Sequence, residues 1–230
     1  MKVRMLLSGI AIAAAMLFSA GQVLGDEKDS DKGHGAKHGQ ERGEGHEHGE
    51  GHEQGDTDEQ VEMDPQMVAW MKYAMPGEHH EYLKPMMGNW NLAIRYRMTA
   101  EAEWQEDKAT AVFRWILGGR FMMQEVTGEE FMGQRFEGLG IIGYDNYAKK
   151  YTCTWQDTMM TMTMITTGTC DSSGKEFTFS GEYDDVVTGK TKKGKSVIRI
   201  INENKLVWEG YDTTEDGTEY QSMEIAYTRA

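Results

Sequence analysis

The stretch Phe136–Asn146, FEGLGIIGYDN, alternates like a β-strand that runs into a turn, yet three of its eleven residues are glycine. Glycine inside a strand gives up packing and costs conformational entropy, so its repeated use needs a reason. Phe136, Gly138, Gly140 and Ile142 share one face, expected to be the inner one. Two positions on that face therefore carry no side chain. Glycine allows a strand to coil tightly around a barrel and also leaves room inside it. The segment thus predicts a curved strand of a closed sheet, with space beside it.

Working outward, the period-two pattern continues on both sides. Trp90, Leu92, Ile94, Tyr96 and Met98 alternate with polar or small residues, as a half-buried strand requires. Further strands are expected at 113–117, 121–123, 151–155, 160–164, 177–179, 197–201, 206–211 and 223–227. Turn signals separate them: GG at 118–119, YDN at 144–146, DSSG at 171–174, VTGK at 187–190, NEN at 202–204 and EDG at 215–217. About ten short antiparallel strands with no helix between them predict an all-β, up-and-down barrel, which removes the sheet edges such a chain would otherwise expose. In such a barrel the first and last strands are neighbours. Trp90, opening the first, should therefore meet Arg229, closing the last, with guanidinium stacked on indole at one barrel end.

Upstream of the barrel the period changes. Asp64 can cap a helix with Pro65 at its first position. Met67, Trp70, Met71, Ala74 and Met75 then fall on one face, and Pro76-Gly77 ends the run. A short turn carrying Tyr82, Leu83 and Met86 should follow. The helix is expected to cover one barrel end with that apolar face. His79 and His80, set between Glu78 and Glu81, read as helix-surface residues.

The remaining N-terminal region is not barrel. Residues 1–25 have a basic start (Lys2, Arg4) and an apolar run, Met5–Phe18, too short for the roughly 20 residues of a membrane span. They read as an export signal cleaved near Ala20 or Gly25, with no cysteine behind the run to carry a lipid. No membrane span is expected after cleavage, and the protein should be periplasmic or secreted. Residues 26–60 are Gly, Glu, Asp and His with 12 acidic and 4 basic residues, a composition that cannot bury enough apolar surface to order itself. His34, His38, His46, His48 and His52 in this tether could loosely hold Zn²⁺, Ni²⁺ or Cu²⁺, although their spacing lacks the regularity of a structural site. The expected division is signal 1–25, tether 26–60, helical cap segment 61–88 and barrel 89–230. With 39% of its 230 residues hydrophobic, the chain can build one good-sized core and no obvious second one.

Charge and residue types exclude several functions. A net charge of −14 and a pI near 4.9 argue against nucleic-acid binding. Every histidine lies at or before His80, so the barrel has no Ser-His or Cys-His relay. No phosphate loop, nucleophile elbow or Cys-x-x-Cys occurs. The two cysteines should remain separate thiols. In a hairpin closed near 157–160, Cys153 would face a residue near Met164, leaving Cys170 roughly 20 Å further along, where a bridge needs Cα atoms within about 7 Å. Met159, Met160, Met162 and Met164 suggest Cu(I), but three sulfurs strung along one strand face do not converge on an ion, and apolar lining is the favoured reading. Arg120, Glu125 and Asp157 are polar groups that could orient a headgroup or simply be solvated strand ends.

The segments PGEHHEYLKPMMGNW, LGGRFMMQEVTGEEFMGQRFEGLGIIGYDN, YTCTWQD, GEYDDVVTGK and DGTEYQSMEIAYTR, in this order, resemble the bacterial "domain of unknown function 1579" family over about 63–229. The resemblance implies a calycin-type barrel, the architecture of lipocalins and fatty-acid-binding proteins, and no established activity. Gly88–Trp90 is also similar to the Gly-x-Trp opening of lipocalins, whose barrels use a Trp–Arg latch like the one expected here. The absence of barrel histidines departs from haem-binding barrels similar to nitrobindin, and the His-rich tether lies outside the family pattern.

The expected function is non-catalytic binding of a small, largely apolar molecule, with no firmly bound cofactor. The candidate lining is Tyr96, Phe113, Trp115, Phe121, Met123, Gly138, Gly140, Trp155, Met162 and Trp208. Metal buffering by the tether, or a filled barrel that acts through its surface on protein partners, are the alternatives.

Overall fold

The computed structural model describes residues 63–131, 134–185, 189–214 and 216–230. Ten antiparallel strands close into one up-and-down barrel: β1 (Gly88–Tyr96), β2 (Gln105–Ile116), β3 (Phe121–Phe131), β4 (Gln134–Asp145), β5 (Lys150–Asp157), β6 (Met160–Cys170), β7 (Glu176–Asp185), β8 (Lys190–Asn202), β9 (Lys205–Thr213) and β10 (Glu219–Arg229). Each strand pairs with its sequence neighbours, and β1 pairs with β10. The barrel is the one the alternation predicts. Among the described residues, no helix is long and apolar enough to cross a membrane.

The closing seam is paired from Trp90↔Arg229 to Tyr96↔Met223. The expected latch is present. The Arg229 guanidinium carbon sits 3.9 Å from the centroid of the Trp90 ring, and Trp90 is only 1% exposed. The indole N–H donates to the Met86 carbonyl at 2.7 Å. The guanidinium also donates to the carbonyls of Met87, Pro85 and Glu203, so one side chain ties the first strand, the segment before it and the β8–β9 turn together. A stacked guanidinium contributes roughly 0.5–2 kcal/mol, more as the site becomes drier.

The glycines of β4 have a clear use. Phe136, Gly138, Gly140 and Ile142 do share the inner face. The room at Gly138 and Gly140 is taken by the Trp155 indole from β5. A Cβ on Gly138 would sit 2.5 Å from its ring atoms, and one on Gly140 would sit 3.3 Å away. The same device recurs: Phe121 covers Gly143, Phe179 covers Gly168, and Trp208 covers Gly210. Large rings laid over bare backbone let a ten-stranded wall curve while its interior stays packed.

Two short helices precede the barrel: α1 (Pro65–Ala74) and α2 (Glu78–Glu81), followed by a 3₁₀ turn (Lys84–Met86). The cap of α1 is as expected, with Asp64 accepting from the Gln66 N–H at 2.8 Å and Pro65 at the first position. Its expected role is corrected. No residue of α1 is buried, and Trp70 is 63% exposed. The barrel end is instead plugged by the segment after it, where Leu83 and Met86 are fully buried beside Trp90. With that opening filled, α1 lies outside it, where Tyr73 meets Tyr147 edge to face with ring centroids 5.6 Å apart. It is held on the outside by polar bonds from Arg120 to the Ala74 carbonyl and from Asn146 to the carbonyls of Tyr73 and Met75.

His79 and His80 belong to the plug, which corrects their reading as surface residues. His79 stacks on Tyr144 with ring centroids 4.0 Å apart. His80 is 4% exposed, and its Nδ1 accepts the Gly77 N–H at 3.0 Å. A four-residue helix has too few internal bonds to hold itself, so this side-chain cap fixes its entry.

Candidate functional site

Inside the barrel lies a cavity of about 140 Å³. At the plugged end its walls are Met86, Leu92, Phe113, Ile142, Leu206 and Ile225. Trp155, Trp208, Phe179, Met164 and Met223 enclose the middle. A dry cavity near 150 Å³ is enough for a benzene ring, so the barrel is largely filled but keeps room for one small molecule.

Polar residues border this space chiefly on β7 and β8, where Glu182, Tyr183, Lys195 and Ser196 lie, and are sparser elsewhere. Gln124 donates through Nε2 to the Tyr227 hydroxyl at 3.2 Å, in the middle of otherwise apolar wall. Burial pushes the Tyr227 phenol up to about 12, against the opposing pull of the Gln124 bond, so it stays a neutral hydroxyl. The Cys153 thiol also lines the cavity, and burial pushes it up to about 11, leaving it protonated and a poor nucleophile. Towards the other end, Tyr183 donates to the buried Asp212 carboxylate at 3.4 Å, while Lys192 pairs with the buried Asp185 at 2.6 Å. Among the described residues, every buried side-chain polar atom has a partner, and no His, Cys, Asp or Glu cluster could hold a metal ion. The arrangement suits reversible binding, with neutral hydrogen-bonding groups set in apolar wall.

Of the residues singled out from sequence, Phe113, Gly140, Trp155 and Trp208 line the cavity. Gly138 lies under the outer edge of the Trp155 indole. Tyr96 is buried at the unplugged end, donating to Gln105 at 3.0 Å, and Trp115 packs against the core outside the cavity lining. Met162 shares the inward row of β6 with Met164, but only Met164 reaches the cavity. Phe121 covers Gly143, and Met123 has the opposite parity to the inward Met122 and Val126. The run FMMQEV fits either parity, and the aromatic at its start favours the wrong one. Val126 decides it. His34, His38, His46, His48 and His52 lie outside the described residues.

The other polar candidates have structural partners. Arg120 ties down α1, Glu125 pairs with Arg114 on the outer face, and Asp157 accepts the Trp155 indole N–H at 2.8 Å. Asp157 thereby sets the ring that covers the β4 glycines. The two cysteines are free, and Cys153 pairs across the β5–β6 hairpin with Thr166. The Gln124–Tyr227 pair escaped sequence reasoning. Its signal was a polar residue between Met122 and Val126 on an inward row.

A closed ten-stranded antiparallel barrel with one small apolar cavity is the class of protein that fold and site define. The chain belongs to the family described as "Protein of unknown function (DUF1579)", whose profile matches residues 75–229. No curated protein matches it. Among solved structures it is similar to Rv2717c from M. tuberculosis, with 13% identity, 68% of this chain and 99% of that one covered, and a TM-score of 0.49. It is also similar to a redesigned β-barrel, with 12% identity, 65% and 95% coverage and a TM-score of 0.35.

Proposed function

We propose that this protein is an exported, non-catalytic carrier that holds a small, largely apolar molecule in its barrel. The observation that carries the reading is the cavity of about 140 Å³, walled by apolar side chains with the Gln124–Tyr227 pair as its central polar feature. An apolar pocket with a few placed polar groups is the usual form of a small-molecule site. The acidic net charge and the N-terminal segment support a role outside the cytoplasm and away from nucleic acid. Native mass spectrometry of protein purified from its own host tests the reading. A reproducible small-molecule adduct that disappears in Gln124→Leu or Trp208→Ala is the expected result, and a bare mass in repeated preparations overturns it.

The five tether histidines favour a second, additive role in loose divalent-metal capture. Removing residues 26–60 should abolish Zn²⁺ or Cu²⁺ binding measured by calorimetry. Unchanged affinity would place any metal elsewhere.

A further inference from the structure

The barrel wall is not equally closed all round. β7 and β8 pair from Glu176↔Arg199 to Asp185↔Lys190, along the whole of β7. Between β6 and β7 the ladder holds only four pairs, from Cys170↔Phe177 to Thr167↔Ser180. Met160–Thr166 of β6 and Gly181–Asp185 of β7 form no pairs with each other, although each is paired on its other side. The strands last touch at Gly181, where a Cβ would sit 2.6 Å from the Ile165 carbonyl oxygen. Beyond that point the ladder between them does not continue.

The cavity runs to this place. Met164, Ile165 and Thr166 of β6 and Gly181, Glu182 and Tyr183 of β7 all border it, three consecutive residues from each strand. Consecutive residues point to opposite faces of a sheet, so here the cavity reaches the backbone edges themselves. Gly181 and its partner Gly194 on β8 put no side chain in the way. Ile165 borders the cavity and is 62% exposed to solvent. One barrel end is filled by Leu83 and Met86, and towards the other Phe136 and the Tyr183–Asp212 pair are buried.

We propose that the split between β6 and β7 is the entry to the cavity, and that it admits flat, uncharged molecules of about one ring. The proposal rests on the reading of the barrel as a binding site, and it specifies the route and the ligand class. Glu182 and Lys195 are the charged residues that border the cavity, Lys195 paired with Glu219, and past them the way to Gln124 and Tyr227 carries no charge. A charged molecule would have to shed its water without compensation. A single ring matches the volume inside.

Cys153 is a reporter already in place, because its thiol lines the cavity. In a Cys170→Ser background, the small thiolate fraction that burial leaves on Cys153 reacts slowly with alkyl methanethiosulfonates to give a mixed disulfide and methanesulfinate, and mass spectrometry compares the rates. Methyl and benzyl reagents should react, with the trimethylammonioethyl reagent far slower. Ile165→Trp should slow the methyl reagent several-fold and Ile165→Ala should speed it. Leu117→Trp, exposed at the plugged end, should leave it unchanged. Urea denaturation of each variant keeps folding defects apart from access. Equal rates in all three variants would overturn the portal, and a cationic reagent as fast as the methyl one would overturn the ligand class. No natural ligand is required, so a bare native mass would refute carriage while leaving the measured route intact.

Discussion

Two seams of the same barrel behave in opposite ways. The β1–β10 seam joins residues over a hundred positions apart, yet it is paired along its length and locked by Arg229 on Trp90. The β6–β7 seam joins strands separated by one short turn, yet it parts after four pairs. Sequence proximity therefore does not decide where this wall is tight. The distant seam carries a buried indole, a multiply bonded guanidinium and the Leu83–Met86 plug, so its pairing is reinforced by side chains. The local seam has glycine at its branch point and threonine and methionine along the free edge, which add little cross-strand packing. The ladder ends where no side chain reinforces it.

The largest test of this contrast is Trp90→Ala. It removes a fully buried indole from the closing seam and should cost about 3–5 kcal/mol in urea or guanidinium unfolding. A loss below about 1 kcal/mol would mean that the seam does not depend on its latch. Gly168→Ala, in the short paired part of β6–β7, should come next. Its Cβ would lie 2.3 Å from the Thr178 carbonyl oxygen and 2.8 Å from the Phe179 ring, and backbone cannot easily give way. Overpacking of this kind costs about 1–3 kcal/mol, and here it should also raise amide exchange along Thr167–Cys170. Wild-type stability in Gly168→Ala would show that the four pairs contribute nothing.

Much of the fold was legible because period-two patterning specifies which face of a strand is buried, and that in turn limits register. The latch followed from strand count and parity alone, since an even number of strands places Trp90 beside Arg229. The interior was harder. Gly138 and Gly140 correctly signalled missing side chains, but an empty position in sequence does not reveal that a ring from the next strand occupies it. Phe121–Val126 fits both parities, and its leading aromatic points to Met123 as inward, whereas Met122 and Gln124 face in. The apolar stripe of α1 predicted a buried face but could not name its partner, and the nearest opening had been taken by Leu83 and Met86. The β6–β7 split left no trace in periodicity, because it concerns pairing between strands and not the pattern within one.

Arg229→Lys tests the latch more finely. Lysine keeps the charge but loses the planar fork that reaches three carbonyls and stacks on the indole. The expected loss is about 0.5–2 kcal/mol, clearly less than for Trp90→Ala. If the two substitutions cost the same, the guanidinium rather than the indole holds the seam.

The smallest expected effect concerns pH and the plug on the closed side. Burial holds the His80 imidazole below its ordinary value of 6.5; a backbone hydrogen bond at Gly77 and the Glu81 charge oppose this, while His79 and Arg120 push the same way as burial. Its Nδ1 must be unprotonated to accept the Gly77 N–H, so protonation would set two donors against each other at the helix start. In the unfolded chain the same imidazole takes up its proton near 6.5. Between 6.5 and the lower folded value, the unfolded state binds more protons, and stability falls as pH falls. The contribution is fully present above 6.5 and levels off once the folded imidazole is also protonated. Unfolding free energies measured from pH 8 to 5 should decline in the wild type and decline less in His80→Gln, whose side-chain oxygen can still accept the Gly77 N–H. Parallel curves for the two proteins would show that the plug does not sense acid through His80.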